Sequence, residues 1–166
     1  MIIDVTTKNK IYNPTSAQGQ WFQHRWGKRS YDDIDLSWKM FTKAVKNTND
    51  PIMLISEYGD PADWKYLESA CKLCKENLTI YTYGMFNQKQ VDTIKKYGCR
   101  VIIVLDGLSE CGRVHLNADI SIIKENIYKL YKQCLLQFKC FRHNLYEIPI
   151  VIKDFKQRNM PIQFVK

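Results

Sequence analysis

Apolar residues along this chain fall into short unbroken runs separated by stretches of helical periodicity, and that alternation predicts its elements. Residues 52–55, Ile-Met-Leu-Ile, have no polar interruption and read as a strand buried on both faces. Gly59-Asp60-Pro61 then supplies a turn, an N-cap and a first-turn proline. A helix is therefore expected over residues 61–76, with Trp64, Leu67, Cys71 and Cys74 on one face. Residues 78–83 form a further strand ending at Gly84. Asn87 with Gln90 is a capping-box pattern, Val91 and Ile94 face inward, and Gly98 stops that helix. Residues 99–105 are apolar except for Arg100 and end at Asp106-Gly107. Ile120, Ile123, Ile127, Leu130 and Tyr131 mark a helix from Asp119, and residues 134–141 another strand. Asn144-Leu145-Tyr146-Glu147 resembles a second capping box, but Pro149 lacks the N–H that a helix under way would use, so a start at Pro149 is the alternative. Val151, Ile152 and Phe155 would be its buried face, and residues 161–165 the last strand.

On the N-terminal side, the β-prone piece of residues 1–12 is Lys10-Ile11-Tyr12, broken by Asn13-Pro14. Residues 16–30 form a long polar loop in which Trp21, Phe22, His24, Arg25, Trp26, Lys28 and Arg29 interleave rings and cations. Asp32, Asp33 and Asp35 favour a helix N-terminus, followed by a stripe of Ile34, Trp38, Phe41 and Val45. Strand and helix thus alternate with short connections, which calls for a parallel sheet with right-handed crossovers. Six strands and five helices fit either an open doubly wound sheet or an incomplete barrel.

Composition narrows the function classes. The 166 residues, 45% hydrophobic and 25% charged, suit one domain with a substantial core. The formal charge of +8 favours an anionic partner: nucleic acid, nucleotide phosphates or an acidic protein. Lysines scattered over helix surfaces would give the same total. No run approaches the roughly 18 apolar residues of a membrane span, and Met-Ile-Ile-Asp is no signal peptide, so a cytoplasmic protein without membrane partners is expected. The six cysteines read as reduced thiols. Cys71 and Cys74 look like packing on a helix face, and without a second ligand pair no metal site is expected.

In parallel α/β proteins ligands sit at the carboxyl ends of strands, which singles out Ser56, Glu57, Tyr58 and Asp60. Four strand-end motifs occur in order: Ser56-Glu57-Tyr58-Gly59-Asp60-Pro61, Thr82-Tyr83-Gly84, Val104-Leu105-Asp106-Gly107-Leu108 and Phe141-Arg142-His143-Asn144. They resemble the Gly-Asp-Pro or Gly-Glu-Pro, Thr-Asn-Gly, Ser-Leu-Asp-Gly and Phe-Lys-His-Asn motifs of the radical S-adenosylmethionine enzymes. The resemblance runs from about Asn13 to the C-terminus and implies a partial TIM-like barrel of six βα units.

It also implies that Glu57 and Asp60, with Ser56 and Gly59, meet the ammonium group of S-adenosylmethionine. Tyr58, Tyr83 or Trp21 would stack on its purine, and Glu57, Asp106 and His143 would be the acid/base candidates. The chain departs from the family at its Cys-x-x-x-Cys-x-x-Cys, which supplies three thiolates to a 4Fe–4S cluster. The matching positions fall near Gln18, Phe22 and Arg25, so no iron–sulfur cluster and no radical cleavage are expected. A second departure is Val104, where many relatives place a polar residue.

Two classes of function follow. One is a cluster-less protein, binding or regulatory, that retains S-adenosylmethionine or nucleotide binding. The other is a nucleic-acid- or protein-binding module using Trp21, His24, Arg25, Trp26, Lys28 and Arg29. An Fe–S radical enzyme survives only if ligands come from elsewhere or from another chain.

Overall fold

The computed structural model describes residues 1–8, 34–56, 59–108, 119–156 and 159–166. Its elements are β1 (Ile2–Asp4), α1 (Trp38–Lys46), β2 (Ile52–Ile55), α2 (Leu67–Cys74), β3 (Leu78–Thr82), α3 (Gln88–Tyr97), β4 (Arg100–Leu105), α4 (Ile120–Lys129), β5 (Cys134–Lys139), α5 (Ile148–Lys156) and β6 (Ile162–Val165). All five strand pairings are parallel, and spatial order equals chain order, β1-β2-β3-β4-β5-β6. A doubly wound sheet reverses its strand order partway across, whereas a barrel advances by one neighbour each time. The pairing therefore selects the six-stranded partial barrel over the alternative.

Burial alternates along the central strands. Ile52, Leu54, Leu78, Ile80, Val101, Ile103, Leu136 and Phe138 are buried in one core with Phe41, Leu67, Val91, Ile94, Ile123, Ile127, Val151 and Phe155 of the helices. The residues between them, Met53, Thr79, Tyr81, Ile102, Leu135 and Gln137, are only half-buried. Tyr81 Oη donates to Gln137 Oε1 at 2.9 Å, and Gln137 Nε2 donates to Gln163 Oε1 at 3.2 Å. These polar contacts lie on the face that the helices leave uncovered.

Local signals account for several boundaries. Asn87 and Gln90 form the capping box of α3, with Gln90 N donating to Asn87 Oδ1 and Asn87 N to Gln90 Oε1, both at 2.9 Å. Gly98 ends that helix at φ 67°, the left-handed region that a side chain resists. Asp119 caps α4 by accepting from Ser121 N and Ile122 N.

Other expectations need correction. The strand that pairs with β2 is Ile2–Asp4, with Ile3 opposite Leu54, while Lys10-Ile11-Tyr12 lies outside the described residues. Helix α1 is capped by Ser37, not by the aspartates, and Ile34 is exposed before it because the chain there bridges Asp35 to Thr6. The helix after Asp60 opens as a 3-10 turn, Pro61–Asp63, and restarts at Leu67, although Trp64 and the inward residues remain buried. Asn144 makes no side-chain cap, and α5 starts at Ile148 with Pro149 in its first turn, where no backbone donor is missed. Ile152 and Tyr131 are partly exposed rather than buried. No described helix is long and apolar enough to cross a membrane.

Candidate functional site

The carboxyl ends of the strands form a rim, and buried polar side chains brace its corners. At the first corner the Ser56 hydroxyl donates to Thr6 O and accepts from Gly59 N at 2.7 Å, while Asp60 N donates to Lys8 O at 2.8 Å. A Cβ on Gly59 would stand 2.4 Å from Lys8 O and 2.7 Å from Thr6 O, so only glycine admits this approach. Thr6 Oγ1 donates to Asp35 Oδ1 at 2.7 Å, and Lys8 Nζ meets Asp35 Oδ2 at 2.9 Å. Burial raises the Asp35 pKa, but these two hydrogen bonds and the Lys8 charge outweigh it and hold the carboxyl below its ordinary range.

Asp60 joins the exits of β2 and β3. Its carboxylate is 2% exposed and accepts from Ala62 N at 2.7 Å, Thr82 Oγ1 at 2.6 Å and Tyr83 N at 2.7 Å. Desolvation pushes its pKa up to about 6, against the pull of those three donors. Asp60 is thus both the helix cap read from the sequence and a strut to the next strand, with its carboxylate turned into the fold.

The remaining corners follow the same logic. Gln90 Nε2 donates to Ala62 O at 2.8 Å, and Asn126 Nδ2 donates to Gly84 O and Phe86 O, both at 2.9 Å. Asn144 Nδ2 donates to Asp106 O and to Lys139 O, the latter at 2.8 Å, and Asn144 Oδ1 accepts from Phe141 N at 2.8 Å. Glu147, also buried, accepts from Leu108 N. Backbone groups left by the strands are therefore satisfied by side chains of later units, which holds the rim in place.

Of the residues singled out from the sequence, the structure gathers Ser56, Gly59, Asp60 and Tyr83 at one place. The Tyr83 amide is bonded to Asp60, and its side chain is half-buried. Asp106 is buried at the exit of β4, and burial together with its negative charge raises the pKa of Tyr81. His143 is exposed and stacked on Phe141, with ring centres 5.5 Å apart and planes 6° from parallel. Glu57, Tyr58, Trp21, His24, Arg25, Trp26, Lys28 and Arg29 lie outside the described residues. Sequence reading missed Thr82, Asn126, Asn144 and Glu147 as braces.

The thiols bear on the cluster that the family pattern implies. Cys71 and Cys74 are buried on α2, whereas Cys99 precedes β4 and Cys134 opens β5, at the end of the sheet away from the rim. Burial pushes the thiols of Cys74 and Cys134 up to about 11 and about 12, which disfavours the thiolates that iron requires. Cys140 is half-buried beside Phe138 O, and Cys111 lies outside the described residues. The described thiols do not fit a cluster, and no group of metal-binding side chains converges among the described residues.

No family model matches the chain, and no curated protein matches it. A solved structure of polyhistidine-tagged anSMEcpe with bound AdoMet is similar to it over 99% of this chain, with a TM-score of 0.69 and 12% identity. The chain spans 50% of that structure's chain. At that identity the likeness speaks for architecture: six parallel strands in one open sheet, matching a radical-SAM-like partial barrel.

Proposed function

We propose that this chain binds S-adenosylmethionine, or a closely related adenine nucleoside, at the C-terminal rim and does no radical chemistry with it. The observation that carries this reading is the braced corner at Asp60. Two hydrogen bonds, from Thr82 Oγ1 and Tyr83 N, lock the exits of β2 and β3 together, and a third, from Ala62 N, fixes the Asp60 corner itself, so the walls of the site are ordered before a ligand arrives. The AdoMet bound in the similar structure supports the choice of ligand.

In this reading Asp60 acts by positioning, since its oxygens already serve the fold. The ammonium group would be received by backbone carbonyls at the exit of β2 and by Glu57. Tyr83 would supply the stacking surface for the purine. Bound S-adenosylmethionine would offer an activated methyl group, and this chain's share is to bind, orient and neutralise the ammonium end. Asp106, buried at the exit of β4, is the acid/base candidate in this reading, whereas His143 is exposed and stacked on Phe141.

Calorimetric titration tests the proposal. Saturable binding of S-adenosylmethionine tighter than about 100 μM, roughly −5.5 kcal/mol, is expected, weakened at least tenfold in Glu57→Gln and in Tyr83→Ala. No heat with S-adenosylmethionine, S-adenosylhomocysteine or adenosine would overturn it. Stoichiometric iron and sulfide in anaerobically purified protein would overturn the non-radical part.

A further inference from the structure

The end of the sheet opposite the rim is built differently. Because all strands are parallel, all five described helices end there, and each carries lysine in its last turn: Lys46, Lys72, Lys96, Lys129 and Lys156. Lysine at a helix C-terminus complements the helix dipole, which accounts for these five. It does not account for Arg100, exposed at the first position of β4, or for Lys132, exposed in the turn before β5.

Those two cations line one cavity of about 380 Å³ that opens at the N-terminal ends of β2 to β5, with Met53, Ile102, Leu135 and Pro161 as its apolar walls. A second cavity of about 370 Å³ adjoins it, sharing Lys132 and Gln133 and adding Lys95, Lys129 and Tyr131. Gln133 Nε2 holds this seam by donating to the last carbonyls of α3, Ile94 O at 3.5 Å and Lys95 O at 3.4 Å. Tyr131 is 39% exposed beside it, with Lys132 Nζ over its ring at 5.7 Å.

We infer that this basic end is a binding surface for single-stranded nucleic acid, with phosphates on Lys95, Arg100 and Lys132 and an unpaired base in the apolar cavity. The pairing of cations with an adjacent apolar slot and a partly exposed ring selects this partner. An acidic protein or an anionic membrane would use the charges but leave a base-sized slot without an occupant, and a duplex would keep its bases stacked away from it. The surface is separate from the rim, so this inference stands whether or not the rim binds S-adenosylmethionine.

Fluorescence anisotropy with labelled oligouridylate and oligothymidylate, each about 15 nucleotides long to cover a typical single-strand site, tests it across a salt series. Arg100→Ala with Lys132→Ala is expected to weaken binding about tenfold and to lower the slope of log K against log salt by about 1.4, as expected for the loss of two single-strand phosphate contacts. Lys39→Ala with Lys65→Ala removes the same charge from exposed positions elsewhere on the chain and should leave both quantities nearly unchanged. All four side chains are exposed, so thermal melts should coincide with wild type. Equal losses in the two double variants would overturn the inference, because only net charge would then matter. So would binding to anionic phosphatidylserine vesicles or to polyglutamate without binding to either oligonucleotide.

Discussion

Replacing Asp60 by Asn turns the brace at the rim into a measurable pH effect. The folded carboxyl is raised by burial to about 6, while in the unfolded chain it titrates near its ordinary value of 3.8. Folding therefore takes up a proton between those values. The associated stability is complete below about 3.8, fades as pH rises through 6, and is gone above it. A shift of this size corresponds to about 3 kcal/mol. The asparagine mimics the protonated acid and cannot titrate. It keeps an acceptor for Ala62 N and Thr82 Oγ1 but turns an amide toward Tyr83 N, a constant cost of about 1–2 kcal/mol. The wild type should thus lead the variant by about 1 kcal/mol at about pH 4 and lose about 2 kcal/mol relative to it by about pH 6.5, where the variant is ahead by about 1 kcal/mol. Urea unfolding followed by circular dichroism at closely spaced pH values measures the difference. A gap that stays constant across about pH 4 to 7 would refute the reasoning, because Asp60 would then not be a desolvated acid.

Other substitutions probe the same rim. Gly59→Ala should cost about 1–3 kcal/mol by forcing its new Cβ against Lys8 O and Thr6 O, seen as a lower melting temperature. Asn144→Ala leaves Asp106 O, Lys139 O and Phe141 N without their buried partner and should cost about 3 kcal/mol in urea unfolding, whereas His143→Ala, at an exposed stacked ring, should cost under about 1 kcal/mol. Among the described cysteines, Cys140 should react first with a thiol reagent, while Cys71, Cys74, Cys99 and Cys134 react only on unfolding; mass spectrometry of the labelled native protein checks the order.

What could be read from the sequence was what short-range chemistry controls. The unbroken run at 52–55, the run at 99–105 broken only by Arg100, the Asn87–Gln90 box and the Gly98 stop each depend on residues within a few positions, and the structure has strands at Ile52–Ile55 and Arg100–Leu105 together with that box and stop. The first strand escapes such reading because Ile2 and Ile3 are two apolar residues at a sheet edge, recognised only through Met53 and Leu54 beside them. Ile34 falls on a helical stripe by periodicity, which cannot see the Thr6–Asp35 bridge that pulls the chain aside. At the site, Gly59 and Asp60 stand out through the turn and cap they make locally. Asn126 and Asn144 do not, since the carbonyls they hold include ones 42 and 38 residues away, and an isolated Asn carries no sign of that.

Hydrogen exchange with and without saturating S-adenosylmethionine tests the central claim most directly, because it reports where a ligand sits. The account predicts slowed exchange at the amides of Gly59, Asp60 and Ala62 and at Tyr83 and Gly84, with Arg100 and Gln133 at the far end unchanged. Protection confined to that far end, or none at all at saturating ligand, would contradict it.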